Sequence, residues 1–322
     1  MKIFYIPSGY QQIYQSFDKS IIRAIQKLDH KVQSIPLYEE EKLRTAILSF
    51  HPDVVLTMMG FNMSNNLLEW IQNQGIKLAV WMTEDPYYID RSIKIINEYN
   101  YIFTIDIAAL KVYKETGHKN VSYLPLGTDP SIYHPTTSSK EYESDICLIG
   151  YPYPNRINMI YFLLENTNYH IQLVGSQWEK KLVKSMRTPK LTIHSRWIPP
   201  MTAKHYYHNA TINLNTHRPY NFKQNKNTSG ILNQSINNRT FDIASCEAFQ
   251  LIEYKFDLPN HFIEGKEIVS FTSHGDLLKK VDYYMSHDHE RKAISKGARE
   301  NVINNHTFEH RLKAMINILS AT

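Results

Sequence analysis

Short apolar runs alternate with amphipathic helical stretches through almost the whole chain. The runs at residues 3–6 and 54–57 have the length and the β-branched or aromatic content of buried strands. Between such runs apolar residues recur at helical spacing, as they do at Phe17 and Ile21 within residues 14–28. Strands that alternate with helices predict a parallel, doubly wound sheet, because each parallel pair of strands needs a crossover connection.

The alternation is first interrupted near the middle of the chain. Residues 126–145 contain Gly127, Pro130, Pro135 and the polar run TTSSK, a composition typical of a linker. The chain has 322 residues, which is enough for two domains. We therefore predict an α/β fold with two Rossmann-like, doubly wound domains that face a central cleft. The expected bounds are a first domain at 1–135, a linker at 136–144 and a second domain at 145–306.

Composition excludes several classes of function. The formal net charge is only +5 and the basic residues are dispersed, so no basic stripe of a nucleic-acid-binding protein is expected. The two cysteines and the spacing of the histidines give no metal-binding motif. No signal peptide opens the chain and no apolar run has membrane-spanning length, so we expect a cytoplasmic protein without a transmembrane segment.

The segment NNRTFD at residues 237–242 carries the most chemical information. Asn238 is expected to cap a helix, and Arg239 then lies in its first turn, near the positive end of the helix dipole. Asp242 follows one turn later on roughly the same face. An anion and neighbouring hydroxyls would both find partners here, as in a ribose carrying a diphosphate. The alternative is a capped helix with an Arg–Asp surface pair.

Several segments together resemble the spore-maturation glycosyltransferase-like proteins of the CgeB type. The resemblance implies a GT-B fold, in which the first domain faces the acceptor and the second holds a nucleotide-sugar without a required metal. It also implies that the last helix, residues 307–322, packs back on the first domain. The segments are YIPSGY at 5–10, LPLGTD at 124–129, NNRTFDIASCEAFQL at 237–251, EGKEIVSF at 264–271, DLLKK at 276–280, RKAISKGAR at 291–299 and HTFEHR at 306–311.

Two residues depart from the pattern of that family. Asp242 stands where related glycosyltransferases usually have Glu, which shortens the reach to a ribose by one methylene. Glu247 stands where they usually have Gly, so we expect a different turn after the helix.

The resemblance assigns roles to the residues around the nucleotide. Asp242 would accept from ribose hydroxyls, and Arg239 would contact the diphosphate or support its loop. Arg156 follows a strand and would act as a second cationic clamp, unless it is an exposed arginine at a helix start. Asn237 and Asn238 would donate from their amides or merely cap.

Further candidates lie on loops. Trp197 and Ile198 would offer an apolar or aromatic surface to the nucleobase, unless Trp197 belongs to the core. His217 and Arg218 begin a loop of roughly twenty residues, a length typical of functional or disordered loops, and would close over phosphates unless they are a mobile surface pair. Gly9 follows the first strand and would allow the backbone to approach phosphates, or is an ordinary turn glycine.

Two acids at the end of a predicted central strand are the catalytic candidates. Asp85 or Glu84 would act as general base for an acceptor hydroxyl or bind sugar hydroxyls. The alternative for Asp85 is a structural role in the Asp-Pro turn.

The sequence thus predicts a metal-independent glycosyltransferase that moves a sugar from a nucleotide-sugar, expected to be a UDP-sugar, to an acceptor hydroxyl. The nucleotide-sugar is a co-substrate and no cofactor is expected; the acceptor is a glycan, a protein or a small molecule. The family suggests spore-surface glycosylation, in the mother cell or on the spore. Two alternatives remain: an inactive assembly protein of the spore coat, which Glu247 keeps open, and a UDP-sugar epimerase.

Overall fold

A computed structural model of the chain describes residues 1–183 and 188–321. The chain forms two compact units. The first comprises Met1–Gly127, Tyr220–Ser235 and Phe308–Thr322, and the second comprises Thr128–Pro219 and Ile236–Thr307. Compared with the expected bounds, residues 128–135 belong to the second unit and residues 220–235 to the first.

The first unit contains a parallel sheet, six-stranded in the described part of the chain, in the order β2-β1-β3-β4-β5-β6. The central strands are buried on both faces, which explains their uninterrupted apolar runs. The strand order reverses between β1 and β3, where the register pairs Ile3 with Val54. The strands are β1 (Lys2–Ile6), β2 (Lys31–Ser34), β3 (Val54–Met58), β4 (Lys77–Met82), β5 (Tyr101–Thr104) and β6 (Val121–Tyr123).

Helices cover this sheet and begin at capping residues. The Ser64 hydroxyl accepts from the Leu67 amide, and the Asp106 carboxylate accepts from the amides of Ala108 and Ala109. The helices are α1 (Ile13–Lys27), α2 (Glu40–Phe50), α3 (Asn65–Asn73), α4 (Ile89–Ile95), which continues as a 3-10 turn at Ile96–Glu98, and α5 (Ile107–Glu115).

The second unit contains another parallel sheet, six-stranded in the described residues, in the order β12-β11-β10-β7-β8-β9. The strand order reverses between β7 and β10. The strands are β7 (Ser144–Ile149), β8 (Ile171–Val174), β9 (Leu191–His194), β10 (Ala210–Asn215), β11 (Gln250–Glu253) and β12 (Val269–Phe271). The strand β12 is not predictable from the sequence, because three residues at a sheet edge are too few to show a period.

Helices connect the strands of this unit. The sequence also predicts a helix near residues 179–186, of which residues 184–186 lie outside the described residues. In the described part, α7 ends at Lys181. The helices are α6 (Pro154–Asn166), α7 (Trp178–Lys181), α8 (Pro200–Asn209), α9 (Arg239–Ser245), α10 (His274–Ser286) and α11 (Asp288–Asn305), with a 3-10 turn at Leu258–Asn260.

The last helix, α12 (Phe308–Ser320), belongs to the first unit. Its apolar stripe, which includes Leu312 and Met315, is buried in one cluster with Phe17 and Ile21 of α1. Burial of this stripe is what the 3.6-residue period predicts for an amphipathic helix.

Candidate functional site

Arg156, Arg218, Asn237 and Arg239 lie at the carboxyl ends of β7 and β10, whereas Trp197 and Ile198 follow β9. The strand order reverses between β7 and β10. In open α/β sheets the connections diverge at such a point and leave a crevice in which ligands bind. The chain leaves β7 at Gly150 and leaves β10 at Thr216.

Two guanidinium groups converge on Gly150. A Cβ atom at Gly150 would lie 2.4 Å from Nη1 of Arg156 and 3.2 Å from Nη2 of Arg239. Gly150 has φ +146°, so both the backbone conformation and the approach of the arginines require glycine. The two arginines that sequence reasoning selected are therefore brought together at the end of one strand.

Arg156 is buried, with 3% of its surface exposed, and it is not the exposed arginine considered as an alternative. Its Nε donates to the Thr216 hydroxyl (2.9 Å), Nη2 to the Thr216 carbonyl (2.7 Å) and Nη1 to the Tyr151 carbonyl (2.9 Å). The Tyr153 ring stacks against it, with 5.0 Å between the guanidinium carbon and the ring centroid. Arg156 thus fastens the loop after β7 to the end of β10 and keeps a buried positive charge there.

Arg239 is half-buried at the first position of α9. Within the described residues its guanidinium makes one long hydrogen bond, from Nη1 to Oδ1 of Asn215 (3.4 Å). The same Asn215 oxygen accepts from Nδ2 of Asn237 (3.0 Å). An arginine has five N–H donors, so Arg239 retains most of its capacity to bind an anion.

Asp242 is buried, with 4% of its surface exposed, and both carboxylate oxygens already accept a hydrogen bond. Oδ1 accepts from the Thr128 hydroxyl (2.9 Å) and Oδ2 from Nδ2 of Asn238 (3.1 Å). Burial raises the pKa of Asp242 to about 8, although these two bonds and the charge of Arg239 oppose the rise. Each carboxylate oxygen still has a second acceptor position for a ligand hydroxyl.

Two local expectations about α9 were wrong. Asn238 does not cap the helix with its side chain, because its own backbone is helical and its amide turns to Asp242. Glu247 does not change the turn after the helix: it adopts φ +54°, the left-handed conformation that glycine favours. A distant contact of 3.9 Å between Glu247 and Arg299 accompanies this strained conformation.

His217 and Arg218 follow β10. His217 is buried, and Oε2 of Glu253 accepts from its backbone amide (2.9 Å) and lies 3.3 Å from its Nδ1. Burial lowers the pKa of His217 to about 4, so the ring is neutral at pH 7. Arg218 is half-buried and lies over Tyr153, with 5.9 Å between its guanidinium carbon and the ring centroid. His217 is therefore a fixed interior residue rather than part of a mobile surface pair.

Trp197 lies just beyond β9 and has 38% of its surface exposed, so it is not a core residue. Ile198 is half-buried and packs against two small apolar clusters. An indole ring that is open to solvent can stack on a nucleobase.

The candidates in the first unit lie at the carboxyl ends of β1 and β4. Gly9 has φ +76°, and a Cβ atom there would lie 3.2 Å from Nδ2 of Asn62. Glu84 is half-buried and accepts from the Tyr14 hydroxyl.

Asp85 lies within the first unit, with 2% of its surface exposed. It accepts from the hydroxyls of Thr104 (2.6 Å), Tyr113 (2.8 Å) and Ser92 (3.2 Å). Burial raises its pKa to about 7 against the effect of these donors. Such a pKa suits a general base near neutral pH, whereas the enclosure suits a structural role. The hydroxyls that donate to Asp85 and to Glu84 in these hydrogen bonds belong to different residues.

Four residues of this arrangement were not predicted: Thr128, Asn215, Thr216 and Glu253. Thr128 stood in the segment LPLGTD used for the family resemblance, but nothing in its own neighbourhood indicated a partner 114 positions away. Asn215 ends β10 and Thr216 follows it, and polar residues at the carboxyl end of a buried strand are a usable signal.

In residues 1–183 and 188–321 no cluster of three or more acidic, histidine or cysteine side chains forms a metal site. In the same residues, no helix is both long enough and apolar enough to span a bilayer.

Known proteins resemble this chain in sequence. Residues 156–317 match the family described as Glycosyl transferase-like. The chain is 35% identical to the Spore protein CgeB of Bacillus subtilis (strain 168). The alignment spans 319 residues and covers 98% of each chain. The chain belongs to this glycosyl transferase-like family.

Solved structures identify the fold. An alpha-glucosyltransferase (AGT) in complex with UDP has a TM-score of 0.70 at 11% identity and covers 99% of both chains. Anabaena Alr3699/HepE in complex with UDP and glucose has a TM-score of 0.64 at 10% identity and covers 100% of both. With its two parallel sheets, the chain has the GT-B fold of glycosyltransferases.

Proposed function

We propose that this protein transfers a sugar from a UDP-sugar to an acceptor hydroxyl. The observation that carries the proposal is the convergence of Arg156 and Arg239 on Gly150 at the point where the strand order reverses. The family and the fold support the reaction class, and UDP is bound in the AGT and HepE structures with the same fold.

The two arginines have different parts in this proposal. Arg156 is engaged by three hydrogen bonds, so it supplies a fixed charge and holds the loop. Arg239 has donors to spare and contacts the diphosphate, whose negative charge grows as the sugar leaves. A donor aimed at such a charge lowers the activation barrier by about 3 kcal/mol. We infer a metal-independent transfer, since guanidinium groups supply the positive charge.

The remainder of the nucleotide is assigned to Asp242 and Trp197. The Asp242 carboxylate accepts from a ribose hydroxyl, and the exposed face of Trp197 stacks on the uracil ring. Asp85 or Glu84 of the first unit takes the acceptor proton, or the leaving diphosphate itself takes it. The name of the relative, Spore protein CgeB, supports an acceptor in the spore.

Isothermal calorimetry with UDP tests the donor site. We expect the wild-type protein to bind UDP and Arg239→Ala to bind at least tenfold more weakly, because a hydrogen bond to a charged group contributes about 1.5–3 kcal/mol. The control is Lys292→Ala on α11, which removes a positive charge at a position 74% exposed to solvent. Equal affinity of wild type and Arg239→Ala would remove the site assignment.

A second candidate is a nucleotide-binding protein without transferase activity that serves in spore assembly. The internal hydrogen bonds of both Asp242 oxygens and of Arg156 favour it. Incubation with UDP-glucose and UDP-galactose distinguishes the two candidates. A transferase slowly passes the sugar to water when no other acceptor is present and so releases UDP. An inactive protein binds the nucleotide-sugars and leaves both of them intact.

A further inference from the structure

Thr128 supplies a buried hydroxyl to the Asp242 carboxylate, and the backbone fixes the position of that hydroxyl. Thr128 has 0% of its surface exposed. Its amide donates to the His306 carbonyl (3.0 Å), and Thr128 pairs with Thr307 in a parallel β-bridge. The hydroxyl donates to Oδ1 of Asp242 at 2.9 Å. A donor held in this way orients the carboxylate without further loss of side-chain freedom.

The other groups around Asp242 do not replace this hydroxyl. Asn238 holds only the second oxygen, Oδ2. The positive charge that acts on Asp242 is that of Arg239, whose guanidinium also serves the Gly150 end of the site. The titratable and charged groups that act on Asp242 come from α9 and its end, from the segment after β6 and from α8: Arg239, Cys246, Asp129, Tyr133 and Tyr207.

We propose that Thr128 is a positioning residue: its hydroxyl favours the ionised form of the Asp242 carboxylate and orients it to accept a hydrogen bond from a ribose hydroxyl. The inference rests on the proposed function for the identity of the ligand. The hydrogen bond between Thr128 and Asp242 itself is independent of any ligand. An ionised carboxylate accepts from hydroxyls, whereas a protonated one gives up part of that capacity.

Two substitutions isolate the hydroxyl. Thr128→Val keeps the shape of the side chain and removes the donor, whereas Thr128→Ser keeps the donor and removes a methyl group. The unfolding transition of each variant shows whether the unit remains folded. A structural role for the methyl group would make Ser the worse substitution; a positioning role makes Val the worse one.

The first measurement is a carbon NMR titration of the protein labelled at aspartate Cγ, with the Asp242 signal assigned by its loss in Asp242→Asn. In Thr128→Val we expect the midpoint of the Asp242 titration to rise by about one pH unit, because a hydrogen bond to the charged carboxylate is lost. In Thr128→Ser it remains within about 0.3 units of wild type. An unchanged midpoint in the Val variant would overturn the proposal.

The second measurement is the affinity for UDP between about pH 7 and pH 9.5, above the second ionisation of a phosphate at about 6. Wild-type affinity is expected to rise until Asp242 is ionised and then to level off. The Thr128→Val variant should bind UDP about tenfold more weakly than wild type at pH 7. Its affinity should level off about one pH unit above the pH at which the wild-type affinity does. The same loss of affinity at every pH would indicate a merely structural role and overturn the proposal.

The two measurements separate this proposal from the proposed function. If wild type fails to bind UDP while the Asp242 midpoint responds to Thr128→Val, the UDP site is wrong and the positioning of the carboxylate stands. If wild type binds UDP and neither measurement responds to Thr128→Val, the positioning role is wrong and the UDP site stands.

Discussion

Gly150 and Gly175 touch through their backbones at the carboxyl ends of β7 and β8. A Cβ atom on Gly175 would lie 2.4 Å from the Gly150 carbonyl oxygen, a distance that a real Cβ contact does not reach. The Trp178 indole donates to the same oxygen (2.8 Å). The backbone at the centre of the candidate site therefore depends on the absence of a side chain at Gly175.

Gly175→Ala is expected to destabilise the second unit by about 3 kcal/mol, from overpacking and from a positive φ of +141°. Urea unfolding measures the loss. The control is Gly265→Ala in the same unit, where φ is +74° but nothing lies within 4 Å of the new Cβ. It isolates the conformational strain, about 1 kcal/mol. Equal losses in the two variants would contradict the steric explanation.

Glu247→Gly is expected to stabilise the second unit by up to about 1 kcal/mol. Glu247 has φ +54°, where a side chain is strained and glycine is not. Thermal unfolding measures the gain. Glu247→Ala is the control, because it removes the 3.9 Å contact with Arg299 but keeps the strain. A loss of stability in the Gly variant equal to that in the Ala variant would show that the contact with Arg299 outweighs the strain.

Asp85 is expected to make the stability of the first unit depend on pH. Burial raises its folded-state pKa from 3.8 to about 7, so the folded protein binds a proton that the unfolded chain has released. The stabilisation of the folded protein by this proton is complete below about pH 4. It is lost as the pH rises to about 7, at up to about 1.36 kcal/mol of unfolding free energy per pH unit.

Urea unfolding at several pH values from about 4 to 8 compares wild type with Asp85→Asn. The stability difference between the two should shift in favour of the Asn variant as the pH rises through this window. A constant difference would show that Asp85 is ionised in the folded protein. Asp18 also has a raised pKa from burial, but it is present in both proteins and cancels in the comparison.

Trp197→Ala is expected to weaken UDP binding about tenfold, since stacking of a base on an aromatic ring contributes about 1–3 kcal/mol. Trp197→Phe keeps an aromatic face and should bind within about threefold of wild type. Calorimetry measures both affinities. Tryptophan emission gives a second readout, because Trp197 has 38% of its surface exposed whereas Trp81 and Trp178 have 0%. The Ala variant serves as the blank, because Trp70 is half-buried and so is partly open to solvent as well. An Ala variant that binds as tightly as Phe would remove Trp197 from the site.

The sequence predicted the elements of the fold well where the periodicity was long and local. The apolar runs at residues 3–6 and 54–57 lie in β1 and β3, the helical stretch at 14–28 overlaps α1, and the apolar stripe of α12 is buried. Alternation of apolar and helical runs is a property of neighbouring residues, and it survives without knowledge of the rest of the chain. The same locality explains why β12 was missed.

The candidate site was predictable in part. Arg239 and Asp242 were selected because they lie three positions apart in a helix, and that spacing is local. The burial of Arg156 and its bonds to Thr216 were not predictable, because they join the loop after β7 to the end of β10 across 60 positions. The left-handed turn at Glu247 was also hidden, since a glutamate gives no indication of a positive φ.

The sequence by itself determined that strands and helices alternate, that they form parallel sheets, and which polar residues follow the apolar runs. Only the tertiary structure decided that Asp242 receives its hydroxyl donor from Thr128 and that two arginines meet at Gly150. The reason is physical: secondary structure follows from side-chain periods within a few residues, whereas the ionisation and partners of a buried group depend on whichever distant segments pack around it.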